Sequence, residues 1–161
     1  QVQPVDTVLA RCGLEGALST IVLSLMIFLF SLLGHNVVPH HPMVVLHIWG
    51  IVWAFGMGVA LIFSVVVTSL PEAGKFIRML MFPLYFLSGI LIPVQYFPHD
   101  LQQYLLYNPM LHAVELIRTG FFETYRAVDG VSVLYLHQWV WGSVFLGLLL
   151  QLRFKQRLLA Q

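Results

Sequence analysis

Four apolar segments, each about as long as a membrane-spanning helix, occupy most of this 161-residue chain. A helix needs roughly 17–25 mostly apolar residues to cross a bilayer. Only 9% of the residues are Asp, Glu, Lys or Arg, whereas soluble domains carry about 25%. The sequence therefore predicts an all-α integral membrane protein with four transmembrane helices. These spans cover about residues 17–34, 43–70, 76–94 and 131–152.

The third apolar segment differs from the others because proline and glycine interrupt it. Pro83, the neighbouring Ser88 and Gly89, and Pro93 all fall within this segment. Proline removes a helical hydrogen bond, and interrupted helices occur in bilayers where protein covers them or where they line a cavity. The interruption therefore indicates a conduit rather than a simple membrane anchor.

The connection between the third and fourth spans is long and has a helical pattern of its own. Leu101 and Tyr104 share one helical face, and apolar residues recur with the same spacing after a break. Asn108 and Pro109 form that break, because the residue before proline disfavours helix and proline suits a first helical turn. We expect a hairpin of two short helices over residues 98–125. It either lies on the outer surface or dips back into the membrane, and its low charge favours the dip.

Glu115 and Arg118 stand three residues apart in the second helix of this hairpin, so they can pair along one helical face. On a solvated helix such a pair contributes little and needs no function. In a re-entrant hairpin the same charges are costly unless paired, and ionisable groups inside a membrane are candidates for function. The sequence leaves both interpretations open.

Basic residues indicate the orientation of the chain, because cytoplasmic loops carry an excess of Lys and Arg. Six of the eight Lys and Arg residues fall on one side of the predicted spans, and only Arg118 and Arg126 fall on the other. We therefore expect both termini of this chain in the cytoplasm and the hairpin outside. The six residues are Arg11, Lys75, Arg78, Arg153, Lys155 and Arg157.

Residues 5–15 read as a separate short helix ahead of the first span. Pro4 and Asp6 suit its first turn. On the cytoplasmic side it is either a docking element for a partner or an interfacial lead-in. The second span contains Gly50, Gly56 and Gly58, which predict close packing against another helix or a flexible gating helix.

Seven histidines raise the possibility of a metal or haem site. A bis-histidine haem needs ligands that face each other at matched depth, and only His47 with His137 comes near this arrangement. We therefore expect interfacial polar residues and no metal site. Cys12 is the single cysteine, so no disulfide forms within the chain. The other histidines are His35, His40, His41, His99 and His112.

Aromatic residues make up 14% of the chain and concentrate toward the predicted outer side. They form either an aromatic belt at the membrane interface or a surface on which sugar rings stack. The sequence does not separate these alternatives. The residues are Tyr85, Phe86, Tyr96, Phe97, Tyr104, Tyr107, Phe121, Phe122, Tyr125, Tyr135 and Trp139.

Several classes of function lack support in the sequence. It contains no phosphate-binding GxxxxGK[ST] loop, no nucleophile elbow and no HExxH motif. A net charge of +1 gives no reason to expect nucleic acid as a partner. Energy for any transport must therefore enter through another subunit. The first residues are not a signal peptide, and the absence of an initiator Met suggests a fragment of a longer protein.

Three motifs resemble one transporter family. They are PLYFLSGI from Pro83, YLLYNP from Tyr104 and HAVELIRTG from His112, together with Pro93 and Pro98. The chain resembles the permease subunits of type-2 ABC exporters, most of all the inner-membrane components of capsular polysaccharide exporters. The resemblance covers nearly the whole chain, although the flanking spans match only in pattern. An exporter of the same fold for O-antigen, teichoic acid or a drug is the alternative, followed by a small four-span metal or redox protein.

The resemblance implies a homodimeric permease with six spans per subunit, of which this chain carries the last four. It also implies two cytoplasmic ATPase subunits that bind ATP and Mg²⁺, a lipid-linked polysaccharide substrate, and contact with membrane lipids in the bacterial inner membrane. Asp6 and Arg11 then belong to the helix that couples to the ATPase. The broken span and the hairpin, residues 76–125, lie near the outer mouth of the pathway. Its candidate residues are Tyr85, Ser88, Gly89, Pro93, Asn108, Pro109, His112, Glu115 and Arg118.

Overall fold

The computed structural model describes residues 4–35 and 37–154, and every regular element within these ranges is helical. The all-α class is therefore confirmed for the described part of the chain. Lys155 and Arg157, which enter the orientation argument, lie outside the described residues. The helices are α1 (Pro4–Leu32), α2 (Pro42–Ser69), α3 (Ala73–Phe86), α4 (His99–Leu105), α5 (Pro109–Phe121) and α6 (Val133–Arg153), with a 3-10 turn at Val94–Tyr96.

Three helices of the described residues are long and apolar enough to cross a membrane: α1, α2 and α6. The prediction of four transmembrane helices is not confirmed, because the third apolar segment does not form one continuous helix. α3 has 14 residues, or about 21 Å of helix at 1.5 Å per residue, against a hydrocarbon core of about 30 Å. It ends at Phe86, three residues after Pro83.

The predicted separate helix over residues 5–15 is also wrong as an element, because α1 runs without a break from Pro4 to Leu32. No proline interrupts this region, and Gly16 is accommodated inside the helix. The Trp53 side chain lies close to the Gly16 position. Its indole Nε1 donates to the carbonyl of Cys12 at 2.9 Å, so the glycine lets α2 approach α1.

α2 and α6 form the centre of the bundle and run parallel to each other. Gly58 lies against Ser143 and Val144, and Gly147 lies against Leu61. Small residues allow such close approach between membrane helices. Close packing of the second span is therefore present at Gly58, whereas a Cβ at Gly50 or Gly56 meets no atom within 4 Å.

Since α2 and α6 are parallel, residues 70–132 return the chain to the end of the bundle where α2 begins. α5 lies at that end and completes the core. The amide of His41 donates to the carbonyl of Gly120 at 2.9 Å, which holds the last part of α5 against the start of α2. We call this the α5 end of the bundle. The shared core comprises Ile48, Ile51, Ala113, Leu136 and Val140.

Candidate functional site

Arg118 of α5 joins α5 to the turn that follows α3. Its Nη2 donates to the carbonyl oxygens of Gly89 at 2.6 Å and Ile90 at 3.3 Å. Its Nη1 donates to Oε1 of Glu115 at 3.1 Å. The guanidinium of Arg118 therefore contacts both the broken apolar segment and Glu115 in its own helix.

Glu115 is fully buried, and donors satisfy both of its carboxylate oxygens. Oε1 accepts hydrogen bonds from Arg118 and from the Tyr125 hydroxyl at 2.9 Å, and Oε2 accepts one from the amide of Val128 at 3.3 Å. Burying a carboxylate is unfavourable unless such partners compensate for lost water. This set of contacts, which we call the Glu115 network, ties α5 to the chain that follows it.

Tyr125 lies outside the apolar helices and acts as a donor to this network. Burial raises the pKa of its hydroxyl above the ordinary value, and the hydrogen bond to Glu115 raises the pKa further. Arg118 opposes the shift, since a nearby positive charge favours the phenolate. Tyr125 therefore stays protonated around neutral pH and can donate to the carboxylate.

The turn after α3 is built by Ser88 and Gly89, both of which are buried. The Ser88 hydroxyl donates to the carbonyl of Tyr85 at 2.5 Å. Gly89 has φ +78°, a left-handed conformation that glycine adopts without steric cost. Pro93 precedes the 3-10 turn with φ −55°, which suits the proline ring. The Tyr85 side chain is about half exposed, so only its carbonyl takes part in the turn.

Asn108 connects the start of α5 to α3. Its Oδ1 accepts a hydrogen bond from the amide of Met110 at 3.0 Å, which caps α5. Its Nδ2 donates to the carbonyl of Leu84 at 3.3 Å. Pro109 occupies the first turn of α5, where its missing N–H needs no partner.

His112 is buried and uses both ring nitrogens in hydrogen bonds. Nε2 donates to the carbonyl of Leu106 at 2.7 Å, and Nδ1 accepts from the amide of Ser132 at 3.0 Å. These partners select the neutral tautomer with the proton on Nε2. His112 therefore links the end of α4 to the start of α6.

The predicted site residues fall into two separate groups. Ser88, Gly89, Asn108 and the three polar residues of α5 meet at the α5 end of the bundle. Asp6 and Arg11 lie in α1, and both are exposed. Arg11 precedes Cys12, whose carbonyl contacts Trp53 near the middle of α2. Arg11 therefore lies level with the middle of α2 rather than beyond its end.

The two histidines singled out as a possible ligand pair lie on neighbouring helices, His47 in α2 and His137 in α6. The rings of His47 and His137 are 5.4 Å apart, and Nδ1 of His137 bonds to the carbonyl of Val133 in its own helix. Within residues 4–35 and 37–154, no group of three or more His, Cys, Asp or Glu side chains is arranged to hold a metal ion.

Sequence reasoning missed Tyr125 and the amides of Val128 and Ser132 as members of the site. The sequence indicates Tyr125 only as one of the aromatic residues of the predicted outer side. No spacing rule reveals these contacts, because each donor lies beyond the end of α5 and follows its acceptor by ten or more residues.

Comparison with known proteins connects this arrangement to transporters. The family model described as "ABC-2 type transporter" matches residues 2–122, which include α1 to α5. The polysialic acid transport protein KpsM of Escherichia coli is 34% identical over 149 residues, or 92% of this chain and 57% of that protein.

Two further relatives are named capsule polysaccharide export inner-membrane proteins. CtrC of Neisseria meningitidis serogroup A is 32% identical and BexB of Haemophilus influenzae is 29% identical, each over 121 residues. These alignments cover 75% of this chain and 46% of each relative. The chain therefore spans about half the length of the curated relatives it matches.

Proposed function

Because the chain belongs to the ABC-2 type transporter family, we propose that it is a permease component that exports capsular polysaccharide across the bacterial inner membrane. The observation that carries this proposal is the similarity to three proteins named for polysialic acid transport or capsule polysaccharide export. Three apolar helices of sufficient length support a position within the bilayer.

In this proposal the substrate is a lipid-linked polysaccharide that crosses at the interface between two copies of the permease. Both chain termini face the cytoplasm, and the α5 end of the bundle faces outward. The excess of basic residues at the opposite ends of the apolar segments supports this orientation. Surrounding membrane lipids cover the remaining apolar surface.

A separate cytoplasmic ATPase subunit supplies the energy. This sequence contains no GxxxxGK[ST] loop, so ATP and Mg²⁺ bind to that partner. Movement of the ATPase reaches the permease through the first part of α1, where Asp6 and Arg11 lie. The continuous course of α1 supports this route, since a rigid helix transmits a displacement along its length.

The turn after α3 and the hairpin of α4 and α5 form the outer gate of the path in this proposal. Three polar residues of α5 or its cap hold that block together: Asn108, His112 and Arg118. The same block contains the ion pair between Arg118 and Glu115, and ionisable groups within a membrane are candidates for function because they are unfavourable there unless paired. Tyr85 has an exposed side chain from which it can contact the substrate.

Deletion of the gene in its source bacterium tests the proposal. We expect polysaccharide to disappear from the cell surface and to accumulate inside, while its synthesis continues. Purification of the tagged protein from native membranes should recover an ATPase subunit that carries a GxxxxGK[ST] loop. Unchanged surface polysaccharide in the deletion strain contradicts the proposed function.

The alternative is an exporter of the same family that moves O-antigen, teichoic acid or a drug. The same deletion strain distinguishes these substrates, because the material that accumulates inside the cell identifies what the protein exports. If a polymer other than capsule accumulates, the proposed substrate changes to that polymer, and the proposal that the protein is an exporter stands.

A further inference from the structure

Two adjacent histidines, His40 and His41, lie in the segment that leads into α2. The chain here reads Pro39-His40-His41-Pro42, so a proline stands on each side of the pair. Proline fixes its own φ angle and restricts the residue before it. The two prolines therefore limit the conformations in which the chain presents these histidine side chains.

The backbone of His41 is held at the junction between α2 and α5. Its amide donates to the carbonyl of Gly120 at 2.9 Å. Its carbonyl accepts hydrogen bonds from the amides of Val44 at 3.1 Å and Val45 at 3.3 Å, in the first turn of α2. His41 therefore has a fixed backbone position, although both histidines are exposed to solvent.

The facing ring nitrogens of the two histidines have the spacing of two ligands to one metal ion. Nδ1 of His40 lies 3.3 Å from Nε2 of His41, and the rings meet edge to face. Zinc–nitrogen bonds in proteins are about 2.0–2.1 Å long. An ion at that distance from both nitrogens has an N–Zn–N angle of about 107°, close to the roughly 109° of a tetrahedral site.

Glu123, which follows the end of α5, contacts the other ring nitrogen of His40. Its Oε2 lies 3.5 Å from Nε2 of that histidine. Histidines that bind metal commonly direct their second, protonated ring nitrogen toward a carboxylate or a carbonyl. The contact with Glu123 therefore favours the tautomer of His40 in which Nδ1 offers a lone pair.

We propose that His40 and His41 form a binding site for a divalent transition-metal ion such as Zn²⁺. Nδ1 of His40 and Nε2 of His41 are the two protein ligands, and water occupies the remaining positions. Each ring stays neutral and carries its proton on the nitrogen that does not bind the ion. Glu123 is a positioning residue that orients the ring of His40.

The small number of ligands determines what kind of site this is. Structural zinc sites have four protein ligands, so a site with two holds an ion that exchanges with solvent. The described part of the chain has no larger group of His, Cys, Asp or Glu arranged around a metal ion. The site departs from the expectation, drawn from the sequence, of no metal site, and it does not depend on the proposed export function.

Titration of the purified, metal-free protein with Zn²⁺ tests this site. The protein carries a purification tag without histidine, and a chelator removes bound metal beforehand. We expect isothermal titration calorimetry to find one Zn²⁺ bound per chain, and no binding of Mg²⁺, which prefers oxygen ligands. Cu²⁺ should bind more tightly than Zn²⁺, and its electron paramagnetic resonance spectrum should show two coordinated imidazole nitrogens.

Substitutions at the pair identify the ligands. His40→Ala and His41→Ala should each reduce Zn²⁺ binding to background. Both side chains are exposed, so these substitutions should leave the fold intact. Glu123→Gln should weaken binding about tenfold, at the low end of the usual range for such a partner, because the Glu123 side chain is 72% exposed.

His47→Ala supplies the matched control. His47 and His137 also form a pair, with their rings 5.4 Å apart, but no ion pair among the described residues places a carboxylate against either ring. We expect His47→Ala to bind Zn²⁺ like the unmodified protein. Equal losses in His40→Ala and His47→Ala overturn the proposal, because exposed histidines in general then bind the ion.

A result on the unmodified protein also decides the question where a variant folds poorly. A Cu²⁺ spectrum with a single coordinated imidazole nitrogen overturns the proposal, as does a protein that binds Zn²⁺ no more tightly than Mg²⁺. Two coordinated nitrogens that persist in His47→Ala and disappear in His41→Ala support it.

Discussion

Nη2 of Arg118 donates to the carbonyl oxygen of Gly89, 29 residues earlier, at 2.6 Å. Gly89 has φ +78°, and this left-handed conformation belongs to the turn in which the chain leaves α3. The same guanidinium holds Glu115 through its other nitrogen. A charged side chain of α5 therefore stabilises the interruption of the third apolar segment. A substitution at Arg118 or at Gly89 should weaken both the turn after α3 and its attachment to α5.

Glu115→Ala is the most direct test of this arrangement. The substitution removes the acceptor of Arg118 Nη1, of the Tyr125 hydroxyl and of the Val128 amide. Breaking a buried ion pair from one side lowers the free energy of unfolding by about 3 kcal/mol. Denaturant unfolding of the detergent-solubilised protein measures this change.

Glu72→Ala is the matched control. Glu72 and Lys75 also stand three residues apart with a 3.1 Å contact, but both side chains are more than 70% exposed. An exposed pair contributes about 0.5 kcal/mol or less. Equal effects of the two substitutions would contradict a structural role for the burial of Glu115.

Tyr125→Phe removes one donor from the Glu115 network and leaves the ring in place. We expect the free energy of unfolding to fall by about 1 kcal/mol, because Glu115 keeps Arg118 and Val128 as partners. Tyr104→Phe serves as a control, since Tyr104 is 72% exposed. No loss in Tyr125→Phe would show that the hydroxyl contributes nothing to stability.

The raised pKa of Tyr125 also predicts a dependence on alkaline pH. Above about pH 10 the tyrosine of the unfolded chain loses its proton first, while the folded protein still holds it. The unfolded state then binds fewer protons, so stability falls as the pH rises toward the folded pKa. Unfolding measured at several pH values should show this decline in the unmodified protein and a smaller decline in Tyr125→Phe.

The bounds predicted from the sequence are most accurate for the two apolar segments that form one continuous helix and pack against each other. The predicted span 43–70 corresponds to α2 and the predicted span 131–152 to α6, each within two residues. Hydropathy failed at the third span, because the chain stays apolar to Val94 although Pro83 and Gly89 stop the helix near Phe86. Composition alone does not distinguish an apolar turn that tertiary contacts hold in place from an apolar helix.

Within the candidate site, local contacts were predictable and distant ones were not. Glu115 and Arg118 pair because three residues place them on one helical face. The Asn108 cap follows from the same local logic. The contacts from Arg118 to Gly89 and from Ser132 to His112 join different elements. Only the tertiary arrangement of α5, the turn after α3 and the start of α6 brings these atoms together.

Gly89→Ala should destabilise the turn after α3 in two ways. A left-handed backbone disfavours residues other than glycine by about 1–2 kcal/mol, and the added Cβ would lie 2.9 Å from Cγ2 of Val94. Gly34→Ala isolates the first effect, since Gly34 has φ +81° with no atom within 4 Å of its Cβ position. Unfolding measurements should show a larger fall in the free energy of unfolding for Gly89→Ala than for Gly34→Ala. Equal falls would contradict a role for the Val94 contact.

His112→Ala should be among the most disruptive single substitutions at the α5 end of the bundle. It leaves the carbonyl of Leu106 and the amide of Ser132 without partners, and each buried unsatisfied group costs about 1–3 kcal/mol. His99→Ala is the control because His99 is exposed. Unfolding measurements that find similar small losses in both variants would contradict the bridging role of His112.

Asp6 and Arg11 test whether α1 receives the movement of the proposed ATPase partner. Exposed side chains on a helix contribute little to stability, so Asp6→Asn and Arg11→Gln should leave the protein folded and present in the membrane. If these residues couple the two subunits, surface polysaccharide should fall in the variants while the ATPase still co-purifies and hydrolyses ATP. Arg11 lies level with the middle of α2, where Cys12 contacts Trp53, so Asp6→Asn should have the larger effect. Unchanged export in both variants would place the coupling contact elsewhere in the chain.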